Sequence, residues 1–207
     1  MIEDNGTIAG NITDKYNTQN PIFRLMMENF LASAKSLILP IKKEITSVTE
    51  VGCGEGHFSV ELASWGFDNI RACDFSTPII QKARETHRKE KINFYPRSIY
   101  DINTEDAADL MICVEVLEHL KQPREALRQL NAQTKQYCLL SVPNEPWWRM
   151  ANMLRGKYLR DLGNTPGHLQ HWSTRHFRSL ISEYFEITAI RTPFPWTMIL
   201  GRKRNNI

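Results

Sequence analysis

Residues 48–59 read VTEVGCGEGHFS. A run of strand formers, Ser47–Val51, meets Gly52, Gly54 and Gly56, and an amphipathic stretch from His57 to Trp65 follows, closed by Gly66. This predicts a strand, a tight turn and a helix. Glycines at such a junction let the backbone turn sharply and approach a ligand, and the following helix offers free N–H groups. G-x-G alone fits dinucleotide enzymes and many ordinary turns. Its neighbours narrow the choice. Glu50, just before the glycines, suits a cationic amino group, whereas Glu55, inside the turn, would repel a pyrophosphate. A zwitterionic or ribose-bearing ligand fits better.

Outward from that turn the alternation continues. Ile70–Cys73 reads as a strand ending on Asp74, and Pro78–His87 as a helix capped by Ser76 or Thr77. Ile92–Tyr95 is a short strand, Ala108–Val114 a buried one, Pro123–Leu130 a helix and Tyr137–Val142 an apolar strand. Residues 143–172 break the rhythm. A helix from Ser173 or Thr174 to Glu183 leads to strands at Phe185–Ile190 and near Trp196–Leu200. Upstream, Phe23, Met26, Met27, Phe30, Leu31 and Ala34 recur at helical spacing from Pro21 to Leu39, and Pro40 ends the run. The first dozen residues are polar and read as loose. The pattern predicts an α/β protein: an open, mostly parallel sheet with helices on both faces, binding ligands beyond the carboxyl ends of its strands.

Composition bounds the rest. At 207 residues, 42% hydrophobic and 24% charged, the chain suits one ordinary globular domain over 1–207, with 1–40 as a helical cap. No apolar run approaches the roughly 20 residues of a membrane-spanning helix. The polar, acidic start lacks a signal peptide's basic and apolar regions, so a cytoplasmic location is expected. Cys53, Cys73, Cys113 and Cys138 form neither a C-x-x-C metal pair nor a disulfide framework, and read as small buried apolar residues. Residues 1–144 carry 16 Lys/Arg against 19 Asp/Glu, and residues 145–207 carry 10 against 4. The basic excess is local, which disfavours a nucleic acid as partner.

Asp74, 20 residues after Gly54, can accept both hydroxyls of a ribose, with Phe75 free to stack on an adenine. The competing reading is an Asp-x-Ser turn that caps a helix.

Taken in order, VTEVGCGEGHFS (48–59), ACDFS (72–76) and DLMICVEVLEHLKQP (109–123) resemble the class I S-adenosylmethionine-dependent methyltransferases. The resemblance implies a Rossmann-like seven-stranded sheet with the last strand antiparallel, and S-adenosylmethionine as cofactor. It places Gly52, Cys53 and Gly54 against the methionine part, Asp74 on the ribose, and Phe75, Ser98 and Ile99 around the adenine. By the same resemblance Asp101 would be a further adenine contact, although the acid these enzymes often carry nearer Ser98 is absent. Cys113 and Val114 would border the sulfonium.

Glu115-Val116-Leu117-Glu118-His119 is similar to the E-x-x-E-H segment of the ubiquinone-biosynthesis O-methyltransferases, and of enzymes that methylate the terminal 2′-hydroxyl of small RNAs. Asn20-Pro21-Ile22-Phe23-Arg24-Leu25 is similar to an N-P-x-R-L stretch of the quinone enzymes with one residue inserted, which makes Arg24 the candidate for the cofactor carboxylate.

Glu115, Glu118 and His119 follow an apolar strand, where substrate should sit. Two carboxylates and an imidazole can bind a divalent cation, and His168, in GHLQHW (167–172), offers a fourth ligand like the His of the RNA enzymes. Alternatively His119 or His168 is a general base that Glu118 orients, or Glu118 and His119 are hydrogen-bonding scaffold.

Residues 143–172 form an insertion after the fifth strand, read as a substrate lid. Trp147, Trp148, Ala151, Leu154 and Tyr158 share one helical face; Arg149, Asn152 and Arg160 fall away from it, with Arg155 and Lys157 adding charge. Such a segment suits a lid, a peripheral contact with a membrane, an RNA-facing patch or buried core. The expected activity is O-methylation of a hydroxyl on a small or lipidic molecule. RNA 2′-O-methylation and N- or C-methylation of a small molecule are the alternatives. His57, His87 and His176 have no comparable context; His87 and His176 read as solvated helix positions.

Overall fold

A computed structural model describes residues 2–4, 7–9, 20–154, 162, 164–165 and 167–204. Seven strands form the main sheet: β1 (Val48–Val51), β2 (Ile70–Asp74), β3 (Ile92–Pro96), β4 (Ala108–Val114), β5 (Thr134–Pro143), β6 (Phe185–Arg191) and β7 (Trp196–Lys203). Their order is β3-β2-β1-β4-β5-β7-β6, and β7 alone runs opposite to the other six. After β3 the chain crosses back to place β4 beside β1. A crevice therefore opens beyond the carboxyl ends of these central strands, at the reversal of strand order.

Burial explains the central strands. Every residue of β1 and of β4 is buried, as a sheet covered on both faces requires. Alternation then sorts the core: Leu110, Ile112 and Val114 join Phe30, Phe58, Trp148 and Trp196 in one cluster, and Met111 and Cys113 join Leu127, Phe177 and Ile199 in the other. All four cysteines are buried free thiols.

Among the described residues the α-helices are α1 (Pro21–Ile38), α2 (His57–Ser64), α3 (Thr77–Thr86), α4 (Pro123–Gln133), α5 (Trp147–Leu154) and α6 (Thr174–Ile181). α1 starts where the Asn20 side chain accepts the N–H groups of Ile22 and Phe23, at 3.0 and 3.3 Å. It buries Phe23, Met27, Phe30, Ala34 and Leu37, one stripe at helical spacing, against β6 and β7. Pro40 ends it, and a 3₁₀ turn, Leu39–Glu44, leads to β1. α6 opens on Ser173, whose hydroxyl accepts from the His176 N–H at 3.3 Å.

Two boundaries differ from expectation. β5 begins at Thr134 because α4 passes straight into it: the Thr134 hydroxyl donates to the Leu130 carbonyl at 2.7 Å, closing the helix without a loop. Ile2–Asp4 pairs antiparallel with Thr7–Ala9, where polar composition predicts a loose segment. Arg155, Lys157, Tyr158 and Arg160 of the insertion lie outside the described residues. Among the described residues no helix is long and apolar enough to cross a membrane.

Candidate active site

The Gly turn after β1 is stitched to β2. Gly52 and Cys53 donate their N–H groups to the Cys73 carbonyl at 2.7 and 2.9 Å. Gly52 and Gly54 have φ of +77° and +53°, the left-handed region glycine favours. A side chain at Gly52 would strike Val116, whereas at Gly54 nothing lies within 4 Å, so bare backbone faces open space.

Asp74 makes the Asp-x-Ser turn and also bonds the Gly turn. Oδ1 accepts from the Ser76 N–H at 3.0 Å, the Asp-x-Ser turn, and Oδ2 accepts from the Gly54 N–H at 3.1 Å, inside the Gly turn. The carboxylate is thus fixed at the crevice by the backbone it serves. Glu50 lies buried beneath the turn and accepts from the Ser59 hydroxyl of α2. Burial, reinforced by the charge of Asp74, pushes its carboxyl up to about 8, so it holds a proton at neutral pH. Burial likewise pushes the Cys53 thiol up, which excludes a resting thiolate.

The remaining predicted cofactor residues are placed as follows. Phe75 is 40% exposed, while Ile99 is buried with Val51, Cys73 and Cys113. The Ser98 hydroxyl accepts from the Tyr100 N–H at 3.2 Å, and the Asp101 N–H donates to the Ser98 carbonyl at 2.9 Å. Cys113 and Val114 are the buried end of β4. Arg24 stands on the exposed side of α1, 3.7 Å from Glu28.

His87 is not a solvated helix position. Its Nε2 lies 3.0 Å from the Glu55 carbonyl, to which it can only donate, and its ring meets His57 edge-on at 5.5 Å. With Lys82 Nζ 2.9 Å from Glu55 Oε1, α3 clamps the Gly turn. No periodicity announces this, since the partner Glu55 lies in the Gly turn, far from α3 in sequence. His176 is exposed, as expected.

Across the crevice, Glu115 follows the end of β4, and its φ of +58° is uncommon for a residue with a side chain. Its Oε1 accepts from the Ser141 hydroxyl at 3.2 Å and its Oε2 from Trp196 Nε1 at 2.6 Å. A 3₁₀ turn, Leu117–His119, then carries Glu118 and His119. Residues 167–172 fold back onto it: Leu169 and Gln170 donate to the Glu118 carbonyl at 2.8 and 3.0 Å, and Asn144 bridges Trp172. His119 Nδ1 lies 2.9 Å from the Gly167 carbonyl. A carbonyl only accepts, so Nδ1 carries a proton, and in the neutral ring the lone pair is on Nε2. That Nε2 is 3.9 Å from Glu118 Oε1.

His168 is buried, its ring 4.9 Å from that of His119 and stacked on Trp148 at 5.9 Å. Ligand atoms of Glu118, His119 and His168 all lie within 4.8 Å of one another. Three of the four residues predicted for the chemistry converge, and Glu115 is engaged by Ser141 and Trp196.

The shared Trp face of the insertion is corrected. Trp148 is 5% exposed, packed on Trp196 at 5.6 Å, with its N–H donated to the Thr165 hydroxyl at 2.9 Å. Trp147 is 49% exposed, on the outer side with Met150 and Met153. Consecutive helical residues differ by about 100°, so only one of the two can face the core.

The sequence profile of a methyltransferase-domain family matches residues 23–187. The chain is 34% identical over 94 residues to the mitochondrial ubiquinone biosynthesis O-methyltransferase of Saccharomyces cerevisiae, covering 42% of this chain and 29% of that protein. It is 34% identical over 86 residues to the ubiquinone biosynthesis O-methyltransferase of Rickettsia akari, covering 40% of this chain and 34% of that one. The chain thus spans about a third of the length of the curated relatives it matches. Among solved structures, magnesium protoporphyrin IX methyltransferase of Synechocystis with bound S-adenosylhomocysteine superposes with a TM-score of 0.68 at 15% identity, covering 90% of this chain and 89% of that one. The methyltransferase domain of bacterial CtHen1 superposes with a TM-score of 0.66 at 18% identity, covering 86% and 99%.

Proposed function

The chain belongs to the methyltransferase-domain family, of class I fold, and from that premise we propose that it moves a methyl group from S-adenosylmethionine to a hydroxyl oxygen of a small or lipidic acceptor. Gly52, Cys53 and Gly54 take the methionine part, with Glu50 beneath its amino group and Arg24 toward its carboxylate. Asp74 takes the ribose, Phe75, Ser98 and Ile99 the adenine, and Cys113 and Val114 border the sulfonium.

In the reaction the acceptor oxygen attacks the methyl carbon in line with the departing sulfur. The carbon–sulfur bond breaks, sulfur keeps its electron pair, and the hydroxyl proton passes to His119 Nε2. Alignment and proton removal are the protein's main tasks. The observation that carries this reading is the bond from His119 Nδ1 to the Gly167 carbonyl, which turns a basic nitrogen toward Glu118 at the end of the central strand. In the alternative reading Glu118, His119 and His168 are donors to a divalent cation; His119 Nε2 would then ligate the ion instead of taking the proton, and the ion would lower the hydroxyl's pKa and orient its oxygen. Exposed Trp147, Met150 and Met153 beside the site support an acceptor drawn from a membrane surface. The acidic first two-thirds of the chain gives an RNA acceptor less support.

The test is transfer of labelled methyl from S-adenosylmethionine to a panel of hydroxylated and amine-bearing lipids, with cofactor binding measured by calorimetry. Label in ethers of the hydroxylated members is expected, and Asp74→Asn should weaken cofactor binding about tenfold or more. Label only in amines would overturn the oxygen acceptor. Absence of cofactor binding in the wild-type chain would overturn the whole reading.

A further inference from the structure

We infer that Glu115 is a positioning residue which Trp196 holds apart from the cation donors, so that the site has three donors and a strut. The inference rests on the cation reading of Glu118, His119 and His168 given above. Glu115 ties the end of β4 to two other strands. Its N–H donates to the Ser141 carbonyl of β5 at 3.1 Å, its Oε1 accepts from the Ser141 hydroxyl, and its Oε2 accepts from Trp196 of β7 at 2.6 Å. Trp196 is itself immobilised, 1% exposed between Phe30 of α1 and Trp148 of α5.

Indole nitrogen is a donor only and cannot be reoriented in such packing. Were Glu115 to turn toward a cation, a buried N–H would be left without an acceptor, and that cost opposes the turn. Glu115 also occupies the left-handed conformation at which the chain leaves β4, and Glu118 and His119 follow within four residues. Fixing Glu115 therefore fixes the direction in which the turn presents both donors. The same tryptophan pair continues to His168, through the stacking of Trp148. One buried aromatic unit braces the turn at Glu115 and the returning segment at His168.

The experiment is calorimetric titration of Mn²⁺ and Zn²⁺, separately, into the full chain and its variants, with S-adenosylhomocysteine titrated into the same samples. Glu115→Gln should keep cation affinity within about twofold, because its amide oxygen still accepts from Trp196 and its NH₂ can donate to the Ser141 hydroxyl. Glu115→Ala should lose about tenfold or more, the scale expected of a group that orients a ligand, with cofactor affinity unchanged. Trp196→Phe, which keeps a ring in the core and removes the N–H, should weaken the cation several-fold and spare the cofactor. Glu118→Gln should abolish cation binding.

Equal losses in Glu115→Gln and Glu115→Ala would make Glu115 a ligand and overturn the inference. Wild-type affinity in both Glu115→Ala and Trp196→Phe would remove the strut. Should Glu115→Ala not fold, Glu115→Gln and Trp196→Phe decide alone. A wild-type chain that binds S-adenosylhomocysteine but neither ion would overturn the inference and leave the methyltransferase reading standing. Loss of cofactor binding in that chain would overturn the reading itself.

Discussion

On the β1–β3 side of the crevice, the half proposed above to hold the cofactor, the Gly turn offers bare main chain. Gly52, Cys53 and Gly54 bond to the neighbouring strand and to Asp74, and every partner lies within about two dozen residues. On the β4–β5 side the walls rest on side chains drawn from distant stretches: Glu115, Glu118, His119, Trp148, Thr165, His168 and Trp196. The first half is rigid because the strands that define it are rigid. The second is rigid only when several long-range contacts are all made. A cofactor that never changes can be met by fixed backbone, whereas an acceptor surface built from side chains can change without disturbing the sheet.

If the halves are separable in this way, damage to one should spare the other. His119→Ala gives the sharpest break: turnover should fall about 10²–10⁴-fold while S-adenosylmethionine affinity stays within about twofold. A parallel fall in affinity would show the halves to be coupled. The two tryptophans of α5 probe the acceptor half from inside and outside. Trp148→Ala should cost about 3–5 kcal/mol of stability in thermal or denaturant unfolding, since it empties a core position beneath His168. Trp147→Ser should change stability by no more than about 0.5 kcal/mol and raise the acceptor KM. Equal destabilisation by both would make the segment core on both sides.

The smallest effect belongs to the cofactor half. Glu50 is protonated in the free protein up to about pH 8, and a cationic amino group above it favours the ionised form. Binding should therefore release most of one proton at pH 7, and affinity should rise with pH until it levels above about 8. Calorimetry in buffers of different ionisation enthalpy reads the proton directly, and Glu50→Gln should abolish it. For folding the sign is opposite. An unfolded chain ionises Glu50 above its ordinary range near 4.5, so its burial lowers stability progressively as pH climbs from there to about 8.

The same contrast governs what could be read from residue order. The Gly turn, Asp74 and the wholly apolar β4 are local patterns, and the seven strands follow from them with small boundary errors. Glu118, His119 and His168 were legible as residue types suited to one chemistry, and their convergence needed the return of residues 167–172 to the Glu118 carbonyl. Trp196 was invisible as a site residue because its partner Glu115 lies 81 positions away. The helical phase of α5 could not be fixed either: both tryptophans are apolar, and the Thr165 hydroxyl that selects Trp148 stands 17 positions on. His87 went unread for the same reason, its acceptor being the Glu55 carbonyl 32 positions earlier.

The placement of β7 between β5 and β6 bears on how the chain is made. During synthesis β6 leaves the ribosome before the one strand that pairs with it, and β5 waits with an open edge for the same partner. A chain lacking β7 would carry two unpaired strand edges and a Glu115 without its indole. Such edges invite pairing between chains. β7 is thus the strand that closes both edges, and it brings the indole from which Glu115 accepts.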